Sequence, residues 1–147
     1  MRVSPATFRA LASTYLNSSF PEPKRSTLVT NRVYKAHFKL NPLQTARVWE
    51  KLEDYIGNTN CVYKTQDSPQ QIVSWEKHTL PKHLLWALHY MKTYMTEDQT
   101  AVLFATTNNT FRKYFWAMVH FLNVLTIDLV SNSLLTINMS IVAITNF

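Results

Sequence analysis

The chain of 147 residues holds one glycine and one cysteine, and each scarcity removes a class of function. With Gly57 alone, no glycine-rich loop can cradle a phosphate, and a hairpin-rich β architecture lacks its usual turn residue. With Cys61 alone, neither an intrachain disulfide framework nor a cysteine-based zinc site can form, which fits the nucleus or cytoplasm better than secretion. The five histidines, His37, His78, His83, His89 and His120, show no His-x-x-x-His spacing, so no metal or other cofactor is expected. A nucleophilic role for Cys61 needs a partner base that no spacing identifies.

Acids are scarce at both ends. Residues 1–40 hold seven basic side chains against Glu22, whereas residues 41–147 hold eight of each sign, so the whole excess of +6 lies in the first quarter. Such a segment fits either a polyanion contact through counterion release or a solvated leader. The first twenty residues are interrupted by Arg9, Thr14 and Asn17 and lack the apolar core of a secretory signal. The sequons at Asn17, Asn108 and Asn138 then carry little weight.

The apolar share of 46% and aromatic share of 13% can build one core. Residues 1–30, with Pro5, Pro21, Pro23 and many Ser and Thr, predict a flexible, disordered basic leader. Residues 32–40 bring Val33, His37 and Leu40, with Tyr34 and Phe38, to one side of a short helix. Asn41, Pro42 and Gln44 predict a capped start for a second helix with the stripe Leu43, Ala46, Trp49, Leu52, Ile56, which Gly57 ends in a left-handed conformation. Glu50, Glu53 and Asp54 fall on its solvent face. Residues 58–78, polar and broken by Pro69, predict a long loop.

Pro81 opens a core-facing helix with the stripe Leu84, Leu88, Met91, Met95, flanked by Leu85 and Tyr94. Thr96 and Gln99 frame a capping box with Glu97 and Asp98 in the first turn of a third helix. Residues 106–109 break it, Asn109 being the expected cap of a fourth helix, TFRKYFWAMVHFL, that buries Phe111, Phe115, Met118 and Leu122.

These elements sum to an all-α domain of four to five helices over residues 31–125. Two short helices around a tight polar turn, the second basic at its start, outline a helix-turn-helix. Its outward face presents Arg112 and Lys113, with Trp116 expected to lean on a neighbouring helix. The expected contacts to double-stranded DNA are Asn109, Thr110, Arg112 and Lys113, with Lys82 and Arg47 adding phosphate contacts. An ordinary solvated helix face has the same outline.

The stretch PKHLLWALHYMKTYMTEDQTAVLFATTNNTFRKYFWAMVHFLNVL resembles the N-terminal region of PIF/Harbinger-like transposases of the DDE superfamily, as does RVYKAHFKLNPLQTARVWEKL upstream. Together they cover roughly residues 32–125, with TFRKYFW the most telling part. The resemblance implies a helix-turn-helix that helps bind transposon ends, followed in full-length relatives by a metal-dependent nuclease domain whose three acids usually bind Mg²⁺. Asp128 is the sole acid after Asp98, and 22 residues follow Leu125, so that site cannot be assembled here and no enzyme is expected.

Residues 126–147 depart from the family pattern and read as a non-family tail of the kind an error in gene modelling produces. The expected function is therefore that of a DNA-binding fragment truncated before its catalytic domain, without a small-molecule substrate and with self-association left open. The alternative is a small helical protein that meets a protein partner or a membrane through its apolar C-terminal third. Residues 129–147 just reach spanning length, but their Asn, Ser and Thr content argues against insertion.

Overall fold

A computed structural model describes residues 3–19, 28–59, 61–64 and 72–145; side chains 18–19, 128 and 132–145 fall outside that description. Among the described residues the order is α1 (Pro5–Ser19), α2 (Asn31–Phe38), α3 (Pro42–Tyr55), a short 3₁₀ turn at Gly57–Thr59, β1 (Val62–Lys64), β2 (Ile72–Ser74), α4 (Trp75–His78), α5 (Pro81–Thr93), α6 (Glu97–Leu103) and α7 (Asn108–Thr145). Among the described residues the fold is all-α apart from one two-stranded antiparallel pair, in which Val62 pairs with Ser74, Tyr63 with Val73 and Lys64 with Ile72.

The centre of the molecule is α5. His83, Leu84, Leu85, Trp86, Ala87 and His89 are all buried, a run too continuous for one stripe. The helix is instead enclosed on several sides, by α1, α2, α6 and α7. Of the stripe expected there, Leu84 is buried, whereas Met91 is exposed where the helix emerges from its neighbours. Leu43 on α3 is likewise exposed, while Ala46, Trp49, Leu52 and Ile56 face the core.

Residues 1–30 do not form a flexible leader throughout. Phe8, Ala12 and Leu16 recur at i, i+4 and i+8 on α1 and are buried against α3 and α5. Ser13 ties this helix to the next segment, its Oγ donating to the Arg9 carbonyl (2.7 Å) and accepting from the Val29 N–H (2.9 Å). Residues 1–2 and 20–27 of the expected leader lie outside the described residues.

Ring contacts run across the core from Phe8 to Trp49 (edge-on, 6.4 Å), Trp49 to Trp75 (tilted, 4.9 Å) and Trp75 to Phe121 (edge-on, 5.6 Å), joining α1, α3, α4 and α7. The expected loop at 58–78 therefore holds structure: Val73 and Trp75 are buried, and the strand pair rests on α7. Asn60 and residues 65–71 lie outside the described part. Gly57 is not left-handed. Its lack of a side chain matters because a Cβ there would come within 3.2 Å of Trp75 Nε1.

Among the described residues three others take positive φ at helix ends: Lys39 (φ 69°), Tyr94 (φ 55°) and Ala105 (φ 53°). Each bears a Cβ that this conformation crowds. The last helix runs far beyond the expected end at Leu122, since neither proline nor glycine follows Pro81 to stop it. At about 1.5 Å per residue its 38 residues extend roughly 57 Å. Among the described side chains Leu125 is the last that is buried, and Ile127 and Val130 beyond it are exposed.

Candidate nucleic-acid interface

Thr96 begins α6, its side chain accepting from the Gln99 N–H (3.2 Å) while Gln99 accepts from the Thr96 N–H (3.2 Å). The helix closes with two crossed backbone bonds, Thr106 N–H to the Ala101 carbonyl (2.9 Å) and Ala105 N–H to the Val102 carbonyl (3.1 Å). This is a Schellman closure with Ala105 in the position that glycine usually takes. Only Phe104, Ala105, Thr106 and Thr107 separate α6 from α7, the spacing of a helix-turn-helix turn.

Thr107, not Asn109, caps α7: its Oγ1 accepts from the Thr110 N–H (3.2 Å) and donates to Thr110 Oγ1 (2.8 Å). A hydroxyl three residues before the first free N–H reaches it, whereas Asn109 already lies inside the first turn and is exposed. Behind the turn, Phe104 packs on Tyr15 of α1 (4.9 Å) and His89 of α5 (5.3 Å). Phe111 packs against Trp86 (5.8 Å), Tyr90 (5.9 Å) and Phe115 (5.4 Å).

The start of α7 is electrically balanced. Arg112 is 60% exposed and lies 3.6 Å from the Glu97 carboxylate, and Asn108 donates to Asp98 (2.6 Å). The two acids of α6 thus face the helix expected to meet phosphate. Lys113 lies over the Tyr114 ring (5.4 Å) and Lys82 over the Trp86 ring (5.7 Å). His83 and Tyr114 stack at 4.3 Å, bringing the segments that carry these two lysines together. Trp116 is 43% exposed, and its described ring contact is with Phe115 of its own helix (5.0 Å). Arg47 is exposed on α3, and no described contact joins it to the other candidates.

A more strongly basic stretch lies on and just after α2, where Arg32 and Lys35 (i, i+3) are exposed on the helix and Lys39, its C-cap, is exposed just beyond its end. No acid occurs between Glu22 and Glu50. Their spacing was readable in the sequence, but it points outward only because Tyr34 and Phe38 fix the buried face. Thr30 caps α2 through the Val33 N–H, and the Tyr34 hydroxyl donates to Thr45 Oγ1 (3.0 Å), fastening α2 to α3. Burial pushes the Tyr34 hydroxyl up to about 12, so it stays a donor. His89 of α5 touches both Phe38 on α2 (5.7 Å) and Phe104 at the α6–α7 turn (5.3 Å).

The buried histidines are neutral structural groups. His83 Nδ1 accepts from the Leu80 N–H (3.1 Å), satisfying an otherwise open donor at the start of α5. Burial, and secondarily Lys82, pushes its pKa down to about 3. His89 is held at about 4 by burial and then by His37, whose Nδ1 lies 3.5 Å from His89 Nε2. Among the described residues no three of His, Cys, Asp and Glu gather where they could hold a metal ion. No family model matches the chain, and no curated protein or solved structure matches it.

Proposed function

We propose that this chain is a DNA-docking helical module of the kind that precedes the catalytic domain in PIF/Harbinger-like transposases, binding double-stranded DNA and catalysing no reaction itself. The observation that carries the reading is the four-residue turn between α6 and α7. It leaves Asn109 and Arg112 facing outward, while α2, in a stretch without acids, exposes Arg32 and Lys35. In this reading Arg32, Lys35 and Lys39 supply the phosphate attraction, while Asn109, Thr110 and Arg112 approach base edges with their charge tempered by Glu97 and Asp98. Lys113 and Lys82 flank the same site through the His83–Tyr114 stack.

Fluorescence anisotropy with a labelled duplex of mixed sequence tests this. Binding should appear at low salt and weaken steeply as salt rises. Absence of binding at low salt would end the DNA reading.

A second reading rests on α7. From Asn108 to Ser131 it is long and apolar enough, by length and composition, to cross a membrane, and Ile127 and Val130 are exposed. Against a crossing there, Phe111, Phe115, Met118, Phe121 and Leu125 are buried in the core, which insertion would dismantle. A protein or membrane partner would therefore meet only the part beyond Leu125. Co-flotation with lipid vesicles that survives replacement of Arg112 and Lys113 by alanine would favour this reading.

A further inference from the structure

The single thiol does have a partner base. Cys61 immediately precedes β1, and its carbonyl accepts the Trp75 N–H (3.3 Å), which fixes its backbone. Its Sγ lies 3.8 Å from Nε2 of His120, delivered by α7 from 59 positions further along the chain. The His120 ring meets the Tyr63 ring (5.5 Å) and that of the buried Phe121 (5.9 Å). The described ionisable contacts of His120 are thus Cys61 and Tyr63. Both members of the pair are only partly buried.

We propose that Cys61 and His120 form an activated thiol site that reacts with low-molecular-weight disulfides. His120 Nε2 takes the thiol proton, and the sulfur attacks one sulfur of a disulfide such as oxidised glutathione. The Cys61 mixed-disulfide bond forms, the original S–S bond breaks, and the departing thiolate takes the proton back from the imidazolium. The small disulfide is the oxidant, and one of its halves leaves reduced. Since Cys61 is the chain's one cysteine, no thiol of the same chain can displace the adduct. It persists until an external thiol arrives.

Intact-mass spectrometry of the full chain with oxidised glutathione at pH 7 and pH 9.5 tests the site. The pH 7 to pH 9.5 rate ratio cancels simple differences in access. It should be about tenfold larger for the native chain than for the chain unfolded in urea, and His120→Gln should abolish that advantage. Equal ratios for native and unfolded chain, an unchanged ratio in a folded His120→Gln variant, or a native chain that does not react would each overturn the proposal. If His120→Gln fails to fold, the native and unfolded comparison on the unaltered chain still decides.

Discussion

The Arg112 guanidinium lies 3.6 Å from the Glu97 carboxylate, so the arginine that the proposed DNA reading sends to base edges is shared with an acid of the preceding helix. An exposed pair of this kind is worth less than about 1 kcal/mol, little enough for a phosphate or base to displace it. Glu97→Gln should therefore tighten duplex binding by about two- to fivefold at low salt, measured by anisotropy. Weaker binding by this variant would mean that Glu97 positions Arg112 rather than competing for it.

The two basic surfaces separate by their salt dependence. Replacing Arg32, Lys35 and Lys39 together by alanine should flatten the slope of log affinity against log salt by about 2 to 3, since each phosphate contact contributes about 0.9. Arg112→Ala with Lys113→Ala should flatten it by no more than about 2 and lower affinity at every salt concentration. A slope that neither change moves would show that these side chains make no phosphate contacts.

Relief of backbone strain should be measurable at the turn. Ala105 closes α6 at φ 53°, where a Cβ is crowded, so Ala105→Gly should stabilise the fold by roughly 0.5–1 kcal/mol despite the freer unfolded chain. Tyr94→Gly should act in the same direction, since Tyr94 is 88% exposed at φ 55° and has little packing to lose. Urea denaturation of both variants provides the check; a lower midpoint for Ala105→Gly would contradict the strain.

Stability should fall in acid. The folded pKa of His83 is pushed down to about 3 and that of His89 to about 4, below the ordinary value of about 6.5. Between those values the unfolded chain binds more protons, so stability is full above about pH 6.5 and is lost progressively toward pH 4 and 3. At about 1.4 kcal/mol per unit the combined loss is on the order of several kcal/mol. Urea midpoints at pH 7.5, 5.5 and 4.5 should decline in that order, and a flat series would refute the burial of neutral imidazoles.

The first helix is part of the core, so Phe8→Ala should cost about 3–5 kcal/mol, as for other buried rings. An unaltered melting temperature would return residues 3–19 to the status of an appendage.

What could be read from the sequence follows from the range of the interactions. Asn41 with Gln44 and Thr96 with Gln99 form reciprocal hydrogen bonds across three residues, and both helix starts appear where those residues predict. The helix α1 was hidden because its stripe is short and Ser13, which looks like a loop residue, finds its partner at Val29. The strand pair was hidden by three-residue strands without a glycine turn. At the candidate interface, Arg112 and Lys113 were readable as outward groups once Phe111 and Phe115 were assigned to the core. Their electrostatic setting was not, because the link to Glu97 exists only when the α6–α7 turn has closed. Cys61 and His120 meet in the same way, through the fold alone.

The three positive-φ helix ends have a consequence for the state the protein leaves on folding. Lys39, Tyr94 and Ala105 each add strain to the native chain, yet each also restricts the unfolded chain more than glycine would. With its only glycine spent on the approach to Trp75, this polypeptide unfolds into a comparatively narrow ensemble, so less configurational freedom is surrendered when the core assembles.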